Sequence, residues 1–304
     1  MERTLQHITS IAHLTRSDAE HIFHLARKFR EDFHQGIHQH SLEQKVVVNA
    51  FFENSTRTKN SFEIAALRLG AKVVSFSSTG SSVAKGESLF DTLQTLDAMF
   101  PDVIVMRNSL SGSAEYATRY VGASILNAGD GKHEHPSQAL LDALTLLDVY
   151  ETLEDRCIGI VGDIVHSRVA RSNVLLLQLL GAKVFVCGPQ TLIPTDISTW
   201  NVQTCATVNE LIEECDTVMA LRIQKERMDA GLIGSAGEYR KFYGIQMKHI
   251  ETKPSLYVMH PGPVNYGVEI DFDVANSHRS LIRKQVTNGV FIRMAMLSVL
   301  KGRE

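Results

Sequence analysis

Several short stretches of this chain combine residue types that hold and polarise small anions. Glu53-Asn54-Ser55-Thr56-Arg57-Thr58 gathers three hydroxyls and a guanidinium within a few residues. Hydroxyl donors and a forked cation suit a phosphate-like group. If the stretch opens a helix, its free N–H groups and positive dipole end add to that site. The plain alternative is an ordinary N-cap, where Ser and Thr are common. His135-Pro136-Ser137-Gln138 puts a histidine at the mouth of a helix. A neutral imidazole there can donate to a carbonyl oxygen; the plain alternative is a capping or packing histidine. Asp130, His133 and Glu134 mimic metal ligands, but no metal is expected. Arg168 and Arg222 each suit a surface ion pair, yet together two forks suit a dicarboxylate. Gln224 follows and can hold an amine or carbonyl. Ser77 to Glu87 is small and polar, with Lys85 near its end. It reads as a surface loop or as a lid delivering Lys85 to an anion.

These clusters share a position. Short β-rich runs alternate with helical periodicity, the signature of parallel sheets flanked by helices. Strands are expected at 46–52, 73–76, 103–106 and 124–127, then at 158–161, 183–187, 217–221 and 256–259. Phe62, Ala65, Ala66 and Leu69 mark a buried helix face, as do Leu140, Ala143, Leu144 and Leu147. Helices are also expected over 169–180, around 208–214 and over 286–300, with Gly70 and Gly181 at helix C-termini. Each polar cluster then falls just behind a strand, where open α/β sheets bind ligands. The expected fold is α/β, with two doubly wound parallel-sheet domains and the active site in the cleft between them. Residues 1–150 with a returning C-terminal helix, 286–304, would form one domain. Residues 151–285 would form the other, entered through the polar stretch Glu151 to Asp155.

Composition narrows the class. A chain of 304 residues, 44% hydrophobic and 21% charged, can bury a sizeable core. Its net charge of −3 argues against a nucleic-acid surface, although a local basic pocket remains compatible. Every apolar run is interrupted well short of a membrane span. Met1 to Ser10 has no apolar core of a signal peptide. Cys157, Cys187, Cys205 and Cys215 form no C-x-x-C pair, which points to the reducing cytoplasm and away from zinc. His7, His13, His21, His24, His34, His38 and His40 read as solvated helix-face residues. No G-x-x-x-x-G-K-[ST] occurs, and Gly159-Ile-Val-Gly162-Asp does not complete G-x-G-x-x-G. A nucleotide-binding Rossmann protein is thereby disfavoured.

Taken in order over the whole chain, the motifs resemble the aspartate/ornithine carbamoyltransferase family. Phe51-Phe52-Glu53-Asn54-Ser55-Thr56-Arg57-Thr58 resembles its F-x-E-x-S-x-R-T signature, and His135-Pro136-Ser137-Gln138 its H-P-x-Q motif. Arg222-Ile223-Gln224, His260-Pro261-Gly262-Pro263 and the Ser81/Lys85 stretch are similar to the aspartate branch. Two arginines would repel the cationic side chain of ornithine, whereas aspartate brings a second carboxylate.

The resemblance implies carbamoyl transfer from carbamoyl phosphate to the amine of L-aspartate, an early step in making pyrimidines, with no cofactor. It implies that Ser55, Thr56, Arg57 and Thr58 bind phosphate and that Arg107 bridges phosphate and carbonyl. His135 and Thr58 would polarise the carbonyl, and Gln138 would hold the carbamoyl amine. Arg168, Arg222, Gln224 and Lys85 would bind aspartate, with Pro263 and the Gly262 carbonyl lining the site. Ser81 and Lys85 would come from an adjacent chain of a homotrimer; a regulatory chain is a further partner the resemblance allows. Asn54 stands where Pro is usual in the family, Val169 where some members have Thr, and Gly262 where some members have Leu. Val169 removes one hydroxyl contact, and Gly262 gives a looser loop. The rival readings are an ornithine or other amino-acid carbamoyltransferase and a non-catalytic paralogue that binds a ligand or partner chain.

Overall fold

The computed structural model describes residues 4–77, 87–223 and 234–303. The chain forms two compact units, Met1–Leu141 with Thr287–Glu304, and Asp142–Val286.

In the first unit, β1 (Val46–Phe51), β2 (Lys72–Ser77), β3 (Val103–Asn108) and β4 (Ser124–Asp130) form a parallel sheet in the order β2-β1-β3-β4. Val47 to Phe51 are all buried, as expected of a strand covered on both faces. Val48, Ala50, Ile104, Met106 and Ile125 pack with Leu93 and Leu96 of α3 (Leu89–Asp97) and with Ala114 and Ala117 of α4 (Ser113–Ala117). α2 (Thr56–Arg68) buries Phe62, Ala65 and Ala66, one stripe of a helix. α1 (Arg16–His34) opens on a capping box between Thr15 and Asp18 and buries Ala19, Ile22, Phe23, Ala26 and Phe29. Its His24 and His34 are exposed, whereas His7 Nδ1 accepts the Ile125 N–H at 3.1 Å.

In the second unit, β5 (Cys157–Val161), β6 (Lys183–Cys187), β7 (Gln203–Thr204), β8 (Thr217–Ala220) and β9 (Tyr257–Met259) form a parallel sheet in the order β7-β6-β5-β8-β9. Val161, Phe185, Leu211, Ile212, Val218 and Val258 belong to its core. All four cysteines are free, and burial pushes the Cys187 thiol up to about 12. Around the sheet lie α6 (Arg168–Leu179), α7 (Val208–Glu214), α8 (Ala236–Tyr243), α9 (Met247–Thr252) and α10 (Phe272–Ala275). The division between the units falls within α5 (Pro136–Tyr150) and within α11 (Ile282–Ser298).

Several boundaries differ from expectation. β3 runs on to Asn108, so Arg107 lies inside the strand and not behind it; an irregularity between Met106 and Asn108 lets pairing with β4 continue. β4 likewise takes in Gly129 and Asp130. α6 starts at Arg168, and α11 starts at Ile282. Gly70 and Gly181 follow helix ends with φ of +81° and +85°, as a helix-terminating glycine does.

Both sheets reverse their order of growth. The chain moves from β1 outward to β2, then returns to place β3 on the other side of β1. It repeats the move from β5 to β6 and β7, then back to β8. Such reversals open crevices at the carboxyl ends of β1/β3 and of β5/β8.

Candidate active site

The crevice at β1/β3 carries the first cluster. Phe51 pairs with Arg107, and the Phe52 N–H donates to the Arg107 carbonyl at 2.8 Å. This register brings Glu53 against the arginine. Arg107 Nη2 donates to Glu53 Oε1 at 2.8 Å, and Nη1 to the Ala128 carbonyl at 3.3 Å. The Arg107 side chain is only 11% exposed, so its cation is held in place rather than solvated.

Ser55 is the N-cap of α2, yet its hydroxyl makes no capping bond. Thr15, Ser88, Ser167, Thr207 and Ser235 stand at the same position of other helices, and each accepts a backbone N–H there. The ordinary N-cap reading therefore fails at Ser55. Thr56 and Arg57 are exposed, and Ser55 and Thr58 are half-buried. An exposed helix start with hydroxyls and a guanidinium suits an anion.

His135 follows β4, the neighbour of β3, and precedes Pro136 at the first position of α5. His135 and Gln138 are both buried, and the Gln138 N–H donates to the His135 carbonyl at 3.0 Å. Their turn is built from carboxylates. Asp130 accepts the Gly112 N–H at 2.7 Å, the Glu134 N–H at 3.1 Å and Asn127 Nδ2 at 2.9 Å. Glu134 accepts the Ile11 N–H at 2.8 Å and the Ser10 hydroxyl. These carboxylates bond backbone N–H groups together with side-chain donors of the turn.

The second cluster sits at the ends of β5, β8 and β9. Asp163 is buried and bonds both His166 N–H, at 3.2 Å, and His166 Nδ1, at 2.9 Å. That turn leads to the Ser167 cap and to Arg168, half-buried at the first position of α6. Burial, then the charge of Glu269, raises Tyr239 well above the ordinary tyrosine range. A Cβ at Gly162 would lie 3.0 Å from the Tyr239 hydroxyl, so only glycine fits this approach freely. Arg222 leaves β8 exposed, and among the described residues it has no hydrogen-bond or ion-pair partner. Its neighbour Ile223 is fully buried.

Gly262 follows β9 with φ +67°, a region that favours glycine. Its N–H donates to His260 Nδ1 at 2.8 Å. The loop is further tied through Gln285, which accepts the His260 N–H at 3.0 Å and donates to Asp142 at 2.7 Å. Asp142 accepts Asn173 Nδ2 at 2.9 Å, and that nitrogen also donates to the Val169 carbonyl at 3.0 Å. The loop of Pro263 and the start of α6 are thus joined by one buried polar chain. Ser81, Lys85 and Gln224 lie outside the described residues.

The family profile described as the carbamoyl-P binding domain of aspartate/ornithine carbamoyltransferase matches residues 6–148. The one described as the Asp/Orn binding domain matches residues 154–300. The chain belongs to the aspartate/ornithine carbamoyltransferase family. It is 48% identical over 299 residues to the aspartate carbamoyltransferase catalytic subunit of Solibacter usitatus, covering 97% of this chain and 99% of that one. The Hyphomonas neptunium protein of the same name is 46% identical over 302 residues, covering 98% and 96%. Among solved structures of the family, aspartate transcarbamoylase from Trypanosoma cruzi in complex with carbamoyl phosphate and aspartate is similar, with a TM-score of 0.88. It is 33% identical, covering 97% of this chain and 96% of that one.

Family motifs did not single out the supporting residues. Glu53 was visible in the signature, but not its pairing with Arg107. Asp142, Asn265, Glu269 and Gln285 carried no signal at all. Glu269 in Val-Glu-Ile-Asp looks no different from Asp271, which forms an ion pair with Arg240 at 2.7 Å.

Proposed function

We propose that this chain transfers the carbamoyl group of carbamoyl phosphate to the amine of L-aspartate, giving N-carbamoyl-L-aspartate and phosphate. The observation that carries the reading is the uncapped start of α2 beside the Glu53-held Arg107. Ser55, Thr56, Arg57 and Thr58 bind the phosphate, and Arg107 spans phosphate and carbonyl. His135 and Thr58 donate to the carbonyl oxygen, and Gln138 holds the carbamoyl amine. Arg168, Arg222 and Gln224 grip the two carboxylates of aspartate, with Lys85 assisting and Gly262 and Pro263 lining the site. The aspartate complex of the Trypanosoma relative and its complex with N-(phosphonacetyl)-L-aspartic acid support a shared pair of ligands.

The uncharged amine attacks the carbamoyl carbon. A C–N bond forms, a tetrahedral oxyanion passes through, and the C–O bond to phosphorus breaks. Phosphate departs with the electron pair and takes the amine proton. Donors aimed at the oxyanion supply the main electrostatic contribution. Holding both reactants in line contributes up to about 7–11 kcal/mol. The substrate arrives activated, so the step draws on no cofactor.

The active assembly is a homotrimer in which Ser81 and Lys85 serve a neighbour's site. Support comes from exposed Ile64 and Leu67 on α2 and Val74 on the edge strand β2, which leads into that stretch. Bulky apolar groups beside an open strand edge call for cover. The enzyme works in the cytoplasm, a compartment that suits four free thiols. The test is colorimetric detection of carbamoyl aspartate from purified protein, with ornithine as the control amine. Product with ornithine, or with neither amine, overturns the reading.

A further inference from the structure

We propose that Glu269 is a positioning residue for the dicarboxylate substrate, acting by fixing the peptide that follows Arg222. The proposal rests on the reading of Arg222 as an aspartate ligand. Glu269 is fully buried, and both its oxygens are engaged by backbone or amide donors. Oε1 accepts the Ile223 N–H at 2.8 Å and Asn265 Nδ2 at 2.7 Å. Oε2 accepts the Asn265 N–H at 2.7 Å. Asn265 Nδ2 also donates to the Ile223 carbonyl at 3.0 Å. The carboxylate therefore holds the donor of Ile223 directly and its acceptor through Asn265.

The consequence falls on Arg222. The peptide joining it to Ile223 is pinned from the inside, while its guanidinium stays in solvent. A free arginine on a loose loop must be ordered when it grips a carboxylate. Here the backbone is ordered beforehand, and only the side chain remains to be fixed. The same carboxylate restrains the loop of Pro263, because Asn265 lies two residues beyond it. His260 Nε2 is 3.7 Å from Oε2. His260 Nδ1 accepts the Gly262 N–H, which puts the ring proton of the neutral form on Nε2, facing Glu269. A carboxylate in such a position is costly unless donors surround it. Its charge-assisted bonds all go to two loops behind strand ends, not to a helix cap.

The experiment uses the full-length protein and Glu269→Gln. Glutamine keeps the shape but sets an N–H₂ against one of the loop donors. Aspartate KM is expected to rise about tenfold or more, and so is the Kd of succinate measured by calorimetry with carbamoyl phosphate present. The Kd of carbamoyl phosphate should move by less than about twofold. Asn265→Ala cuts the side-chain tie and keeps the carboxylate; a rise of the same kind, about threefold, is expected. A folded Glu269→Gln with unchanged aspartate KM, or with equal losses for both substrates, overturns the proposal. If that variant does not fold, Asn265→Ala decides by the same criterion. Wild-type protein that neither makes carbamoyl aspartate nor binds succinate marks failure of the underlying reading, and the proposal falls with it.

Discussion

The guanidinium of Arg107 donates to the carboxylate of Glu53 at 2.8 Å, across the carboxyl ends of adjacent strands β1 and β3. A carboxylate thus stands where a phosphate ligand would otherwise be the natural partner of the cation. Arg107→Ala removes the cation and leaves Glu53 to repel the ligand. Carbamoyl phosphate should then bind about a hundredfold more weakly. Arg107→Ala combined with Glu53→Gln should recover about tenfold of that loss, because the repelling charge is gone. The kcat of both variants should stay down by about a hundredfold, since the proposed donor to the oxyanion is missing. Calorimetry and steady-state rates on the two variants check this; a double variant that binds carbamoyl phosphate no better than Arg107→Ala would contradict it.

The two basic clusters should separate by substrate. Arg57 opens onto solvent at the start of α2, and Arg222 opens onto solvent after β8. Arg57→Ala should cost carbamoyl-phosphate binding about 3 kcal/mol, roughly a hundredfold in Kd. Arg222→Ala should raise aspartate KM by a similar factor and leave the carbamoyl-phosphate Kd within about threefold. Titrating each substrate against each variant tests the assignment. A crossed pattern, with Arg222→Ala losing carbamoyl phosphate, would reverse it.

Much of this frame is legible in the sequence. Val-Ile runs such as Val46 to Val48 and Val103 to Val105 mark buried parallel strands, and the helix stripe of Phe62, Ala65 and Ala66 needs only its period. The hydroxyls and arginines of the site stood out by type. Arg107 was misplaced relative to its strand because the irregularity after Met106 leaves no local trace. The helix-face reading of His21, His24 and His34 agrees with α1, but its start, where Thr15 and Asp18 stand at capping-box spacing, is not assigned from the sequence. Asp142, Glu269 and Gln285 could not be read, since their burial depends on which loops meet over them. Composition treats a carboxylate as solvated by default, and only tertiary packing changes that.

Sharing of the site between chains can be tested by mixing defects. At carbamoyl phosphate concentrations near the wild-type Kd, pure Lys85→Ala and pure Arg57→Ala trimers should each be nearly inactive. Each mixed trimer restores one intact pairing in its ring, so about one third of wild-type activity per mixed trimer should return. The measurement is carbamoyl aspartate formation after denaturation and joint refolding, with trimer composition verified by native mass spectrometry. Verified mixed trimers with no activity would mean that each chain supplies its own Lys85.

His249 predicts a pH dependence of stability rather than of turnover. Burial depresses its imidazole to about 4, and the adjacent Lys248 pushes in the same direction. Its Nδ1 accepts the Gln246 N–H at 3.1 Å, a role only an unprotonated nitrogen can fill. In the unfolded chain it titrates near its ordinary value of 6.5. Between those limits the unfolded state binds the proton and the folded state does not, so stability rises with pH. The contribution is complete above pH 6.5 and is lost as pH falls toward 4, about 3 kcal/mol in all. His249→Asn keeps an acceptor at the Nδ1 position and cannot be protonated. Urea unfolding of the two proteins at steps across this range should show a shallower acid limb for the variant. Parallel limbs would mean that His249 keeps its ordinary affinity for the proton when folded.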